Sequence, residues 1–341
     1  MDKMFKRTLL ASAVAMVAAA GSANAAIDLH GKAVQIYGQA AGSYQIWTPD
    51  AAGKDTTASV EIESRIGFRG VVEFEDFAPN FVWQIEGGNA DDAASWSNAS
   101  GKFGGRDTFI GLDFENVGSI KFGRQLPAAY NYVDWPHTNP GLGNVFDWYN
   151  PTGASAVKDR TNHVLRFDSA NFDGFNLQAS LDNMQENVDG VGYSIAGSYT
   201  QDMFSVHAGY YGQGKYTVGG VDKGDSSYSI VGGQLYFGAL TLTAGYKMVD
   251  NGLNDNSQNT LSTSVQYVNG NWLYKVGYAN AFEADKEIAV DNDGSATAIT
   301  GRIMYMLPSY VIYFDVRNYD VNGKLDADDG TRTMLGMEYY F

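Results

Sequence analysis

From about residue 32 to the C-terminus, apolar and polar positions alternate with a period of two. Leu335, Met337, Tyr339 and Phe341 alternate with Gly336, Glu338 and Tyr340. Tyr310, Ile312, Phe314 and Val316 alternate with Val311, Tyr313, Asp315 and Arg317, and Leu240, Leu242, Ala244, Tyr246 and Met248 with Thr241, Thr243, Gly245 and Lys247. Period two is the side-chain repeat of a strand with one wet and one dry face. No stretch of comparable length has a 3.6-residue period. Sixteen strands are predicted, near 32–47, 59–70, 81–88, 106–113, 119–125, 161–168, 175–182, 192–200, 204–212, 227–236, 240–249, 259–268, 272–282, 296–307, 309–319 and 330–341. Very short turns, such as Gln201-Asp202-Met203 and Asn269-Gly270-Asn271, separate some of them. Long polar connections at 213–226, 250–258, 283–295 and 320–329 separate others. An even strand count with short turns at one end and long loops at the other predicts an all-β fold. It is a 16-stranded antiparallel transmembrane β-barrel.

A large soluble sandwich or propeller would also alternate. Three features favour the barrel. Aromatics gather near strand ends, as in Trp272, Tyr274, Tyr278 and Phe282, which suits interfacial girdles. The positions of inward parity are polar along nearly every strand. The chain ends on Phe341, with Tyr339 two places before it, a terminal pattern that suits recognition by a barrel-assembly machinery. The longest connection, from about Leu126 to Asp159, carries Pro127, Pro136, Pro140 and many aromatics. A loop this long with so many poorly solvated side chains is expected to be compact rather than a floppy external segment.

The first 25 residues are a separate signal. Lys3, Lys6 and Arg7 precede a small or apolar run from Leu9 to Ala20, and Ala23-Asn24-Ala25 is a small-x-small cleavage site. This is the pattern of a secretory signal peptide, and the apolar run is too short for a membrane anchor. Removing 25 of 341 residues leaves 316, one domain from 26 to 341. The leader holds three cations and one acid, so the net charge moves from −16 to −18. Such acidity excludes sequence-independent nucleic-acid binding. The absence of cysteine excludes disulfides, thiolate metal sites and a cysteine nucleophile.

Four segments carry a resemblance. They are Ser64-Arg65-Ile66-Gly67-Phe68-Arg69-Gly70, Phe109-Ile110-Gly111-Leu112, Val117-Gly118-Ser119-Ile120-Lys121-Phe122-Gly123-Arg124 and Arg160-Thr161-Asn162-His163-Val164-Leu165-Arg166-Phe167-Asp168-Ser169. Together with the strand and loop order they resemble the general, trimeric porins of Gram-negative bacteria over essentially the whole chain after the leader. The resemblance implies a homotrimer of water-filled pores, a third loop folded into each channel, and passive diffusion of small hydrophilic solutes and ions across the outer membrane.

It also implies where to look for the constriction. Arg65 and Arg106 match pore-wall arginines, and a further basic position falls on Lys158 or Arg160. Gln39 stands where enterobacterial members carry lysine. The third-loop carboxylate of the family is missing from Asn139-Pro140-Gly141-Leu142-Gly143, leaving Asp134 and Asp147 as the nearest replacements. The loop is aromatic instead. Tyr130, Tyr132, Trp135 and Trp148 either stack on sugar rings, making a saccharide-selective channel, or pack the loop onto the wall. Outward parity at Gly38, Ala40 and Gly42 suits close approach of a neighbouring subunit. Arg124 has outward parity too, and an outward cation costs roughly 2–4 kcal/mol at mid-bilayer. It either meets Asp91 or Asp92 of a neighbour's second loop, as the resemblance implies, or bends inwards with the third loop.

The excess of acid suggests that cations are favoured overall. The four histidines, His30, His137, His163 and His207, sit in no nucleophile motif and no metal-ligand spacing, so neither catalysis nor a metal or other cofactor is expected. The acidic stretches 291–293 and 326–329 are read as solvated surface rather than as calcium loops or bridges to lipopolysaccharide.

Overall fold

A computed structural model describes residues 26–88, 90, 101–138, 141–148, 159–184, 188–289, 292–321 and 329–341. Its strands are β1 (Ile27–His30), β2 (Val34–Pro49), β3 (Thr57–Ile62), β4 (Arg65–Val72), β5 (Asn80–Glu86), β6 (Thr108–Phe114), β7 (Gly118–Gln125), β8 (Thr161–Ser169), β9 (Phe175–Asp182), β10 (Gly192–Gln201), β11 (Phe204–Val218), β12 (Val221–Phe237), β13 (Leu240–Asn251), β14 (Asn256–Asn269), β15 (Trp272–Ala281), β16 (Ala296–Leu307), β17 (Tyr310–Val321) and β18 (Gly330–Tyr340). β3 and β4 both pair with β2, through Gly42↔Ile62 and Gln39↔Arg65, so they are two lengths of one stave interrupted at Glu63 and Ser64. β1 folds back on the start of β2. The remainder is a barrel of sixteen antiparallel staves, and all sixteen predicted strands are present. β18 pairs with β17 and β2, and β10 with β9 and β11, so the ring has no free edge.

The strands differ from expectation mainly where long polar loops were read. β11 and β12 continue through most of 213–226, paired as Lys215↔Gly224 and Val218↔Val221. Gly219 and Gly220, at φ +60° and +80°, make the two-residue turn that lets the pair extend. The connection 250–258 likewise shrinks to a turn between Asn251 and Asn256. Polar residues hid these extensions because a hairpin standing in water needs no apolar face.

The barrel is inside-out relative to a soluble core. On β15, Lys275 is 6% exposed while its outward neighbour Val276 is 62% exposed. Ile299 and Ile303 on β16 and Leu335 and Met337 on β18 repeat the pattern, with Thr300, Arg302 and Met334 turned inwards. A wall of exposed Val, Ile, Leu, Phe and Tyr backed by buried polar residues is stable against hydrocarbon.

The seam is closed by the C-terminus. Gly38 donates its N–H to Phe341 O at 2.7 Å, and Phe341 donates to Gly38 O at 3.1 Å. A Cβ at Gly38 would lie 2.5 Å from the Phe341 ring and 2.6 Å from Arg65 O. Gly38→Val therefore overpacks the seam by roughly 1–3 kcal/mol. We expect its heat-unfolding midpoint, read by electrophoretic mobility, to fall below that of Gly301→Val. Gly301 has open space around its would-be Cβ.

Candidate functional site

The third loop enters the barrel after β7. Its described part is a helical turn at Tyr130–Tyr132, an irregular turn at Val133–Thr138 and a helical turn at Val145–Trp148. Trp135 breaks the middle turn with extended backbone, φ −131° and ψ +130°. The loop lies along the inner wall. Ala128 N–H donates to Ser180 Oγ on β9 at 3.0 Å, and Ala129 N–H to Ser194 Oγ on β10 at 2.9 Å. Ser262 Oγ on β14 donates to His137 O at 2.8 Å, and Lys247 Nζ on β13 donates to Phe146 O. Ala128, Ala129, Tyr130, Val133 and Phe146 pack on Ala196, Tyr211, Tyr228, Ile230 and Val249. Further along, Val145 packs on Ala279, Ala281, Ala296 and Ala298.

The wall is shaped for this. Inward positions beneath the loop are Gly209, Gly232, Gly245 and Gly277. A Cβ there would fall 2.9 Å from Ala129, 2.4 Å from the His137 ring at both Gly232 and Gly245, and 2.2 Å from Leu142, respectively. The missing side chains are the space the loop occupies. This signal was legible and went unread: glycine at inward parity on four of five consecutive strands is a poor choice for a wall that simply faces water.

Because the loop covers β9 to β17, the passage runs between it and the remaining wall, β18 and β2 to β8. That wall carries the charges. Arg106 pairs with Glu86, which also accepts from Tyr37 OH at 2.7 Å, and Arg160 pairs with Asp107 at 3.1 Å. Arg65 stands beside both arginines; among the described residues no carboxylate lies within ion-pair distance of it. On its other side, Gln39 Nε2 donates to Glu338 at 2.8 Å, Tyr340 OH donates to the same carboxylate, and Gln45 donates to Glu61. Glu63 is exposed next to them. Amides and a phenol orient Glu61 and Glu338 without cancelling their charge. A constriction selects by the charges its wall presents to water. Here acid stands on the barrel wall next to the arginines.

Other expected groups are placed differently. Asp147 is half-buried: it accepts from Tyr130 OH at 2.7 Å, and Lys247 lies nearby. Burial pushes its carboxyl above the ordinary value, against the pull of Lys247. Asp134 is half-buried on the loop. Tyr130 is 5% exposed inside the packing cluster, so its ring is taken up by the wall. Tyr132 is half-buried and stacks on His207, ring centres 4.6 Å apart. Trp135 is half-buried at the break in the turn. Lys158, Asp91, Asp92 and the Trp148 side chain lie outside the described residues.

Lys247, Lys275 and Arg302 point inwards and are buried behind the loop. Arg302 makes two 2.6 Å bonds to Asp315, with Gly141 against its guanidinium. Arg124 neither turns in with the loop nor stands bare. A register shift between Gly123 and Gln125 accompanies it, and it donates to Gly105 O at 2.9 Å and Asn162 Oδ1 at 2.8 Å. Gly38, Ala40 and Gly42 do point outwards, although Gly38 is covered by Phe341 of its own chain.

A closed sixteen-stave barrel with an apolar exterior and an internal loop narrowing a charged passage defines an outer-membrane channel. Residues 11–325 match the Gram-negative porin family description, and the chain belongs to that family. The chitoporin of Vibrio furnissii is 32% identical over 380 aligned positions, covering all of both chains. Outer membrane porin F of Salmonella typhimurium is 28% identical over 222, covering 61% of this chain and 58% of that protein. Among solved structures, the anion-selective porin from Comamonas acidovorans superposes with a TM-score of 0.72 at 20% identity, covering 91% of this chain and 99% of that one.

Proposed function

We propose that the protein is a general diffusion channel, a homotrimer whose subunits each pass small hydrophilic solutes, with cations favoured over anions. The observation that carries this reading is the wall beside Arg65. Arg106 and Arg160 each have a carboxylate partner, while Glu61, Glu63 and Glu338 stand beside Arg65 and, among the described residues, have no cation within ion-pair distance. The packing of Tyr130 into the wall and of Tyr132 on His207 supports a loop whose aromatics chiefly hold it in place. The channel makes and breaks no bond, so it needs no metal or cofactor. Gly38, Ala40 and Gly42 support a subunit interface on β2. Arg124 has five N–H donors and uses two here, leaving capacity for Asp91 or Asp92 of a neighbour. The chain is exported on its first 25 residues, and Tyr339 and Phe341 are the terminus offered to the barrel-assembly machinery. The acidic loops meet lipopolysaccharide as solvated surface. Asp134 and the basic position at Lys158 or Arg160 complete the proposed constriction.

A second reading has a specific support. Similarity to a chitoporin over the full length, with Trp135 half-exposed on the loop, favours a saccharide channel in which Trp135, Tyr132 and Trp148 stack on sugar. Single-channel current in planar bilayers separates the two. The diffusion channel shows no saturable block as chitin or maltose oligosaccharides are titrated in. Concentration-dependent block that Trp135→Ala removes would establish the saccharide channel instead.

A further inference from the structure

We propose that the buried imidazole pair His137–His207 is the pin that sets where the third loop stands, and that protonation withdraws it. The inference uses the channel reading for its readout only. His137 Nε2 and His207 Nε2 are 2.8 Å apart, both rings buried. One nitrogen must donate and the other accept, so the accepting ring is neutral; the donor, buried with Lys275 as its nearest charge, is neutral too, and the rings are of opposite tautomer. The direction follows from the other nitrogen. His137 Nδ1 is buried with no hydrogen-bond partner. An N–H left unpaired there costs more than an idle lone pair. His137 therefore carries its proton on Nε2 and donates, and His207 accepts on a bare Nε2.

This contact is unlike the loop's other bonds to the wall. Those use serine hydroxyls, an amide, the Lys247 ammonium and the Arg166 guanidinium, none of which gains a proton in mild acid; the Asp147 carboxylate near Lys247 does, and it is common to the wild type and the variant tested below. Protonating His207 Nε2 puts two N–H groups face to face. No carboxylate is placed to compensate. The groups around His137 are Gly232 on β12, Gly245 on β13, Ser262 on β14, Lys275 on β15 and, on the loop itself, the Phe146 ring. Lys247 lies over the far side of Phe146, with Asp147 near it. Around His207 are His137 and the stacked ring of Tyr132. The nearest charges are cationic, and burial with that field holds His137 down to about 3.

The sign follows from linkage. An undocked loop exposes histidines near the ordinary value of about 6.5, whereas the docked pair resists protons. Docking is thus fully favourable above about 6.5 and is lost progressively as pH falls toward 3. No such dependence arises from a loop held only by packing.

The test compares the wild-type channel with His207→Gln in planar bilayers between about pH 7.5 and pH 4. The Gln carbonyl accepts from His137 without titrating at its own position. We expect similar conductance for both at neutral pH. In acid the wild-type conductance moves by on the order of twofold and the variant's by clearly less, because only one of the two buried imidazoles remains to take up a proton. An equal acid response in both overturns the pin; absence of neutral-pH conductance in the wild type overturns the channel reading instead. Should the variant fail to assemble, imidazole ¹⁵N resonances of the wild type decide. Two of its four histidines staying neutral at about pH 5 supports the pin, and all four titrating near 6.5 overturns it.

Discussion

Replacing Gly245 by Val displaces the third loop and changes single-channel conductance severalfold. The residue faces inwards on β13 opposite Gly232 of β12, and a Cβ there meets the His137 ring at 2.4 to 2.5 Å. Its backbone is ordinary strand, so valine strains nothing except the contact with the loop. Overpacking of this kind costs roughly 1–3 kcal/mol, which shifts a docked-to-displaced ratio by about 5- to 150-fold. The loop has the passage as its only free direction, so the displaced state is narrower. Reduced, noisier current steps with an unchanged content of β-structure by circular dichroism confirm it. Gly301→Val on the outer face is the control and leaves conductance as it was.

The second large effect is on selectivity. Glu61→Gln, Glu63→Gln and Glu338→Gln combined turn the channel from cation-preferring to anion-preferring. Gln39, Gln45 and Tyr340 persist as neutral partners, so the wall keeps its shape while losing three negative charges next to Arg65, Arg106 and Arg160. Screening at physiological salt acts over about 8 Å. Charges on one stretch of wall within a narrow passage are felt by an ion crossing it. Reversal potentials in a salt gradient measure the outcome, and a variant that keeps the wild-type sign contradicts the assignment. Asp147→Asn, by contrast, leaves the reversal potential in place, because that carboxylate is engaged by the Tyr130 hydroxyl with Lys247 beside it.

The two sides of the channel differed in how far the sequence revealed them. Period two placed every stave, since lipid on one side and water on the other imposes opposite chemistry on alternate residues. Period two also sets Arg65, Glu61, Glu63, Lys247, Lys275 and Arg302 at inward parity. It could not tell which of them face water, because parity says nothing of a loop lying over the wall. Lys275 and Glu63 have the same inward parity, yet the third loop buries one and leaves the other exposed. The glycines at 209, 232, 245 and 277 mark the covered strands, a signal that the alternation of apolar and polar residues does not carry. The search for an acid on the third loop led to Asp134 and Asp147, whereas Glu338 pairs with Gln39 across 299 residues of sequence. A contact that spans the barrel seam leaves no local signature.

The central claim is that an aqueous path, bounded by the third loop and an acid-bearing wall, crosses each subunit without an energy source. Current through the purified protein in a planar bilayer under a potassium chloride gradient tests it most directly. The account predicts discrete steps proportional to voltage, reversing at a potential of the sign set by cation preference. A protein that inserts but gives no steps, or whose current reverses at the anion-selective sign, contradicts it.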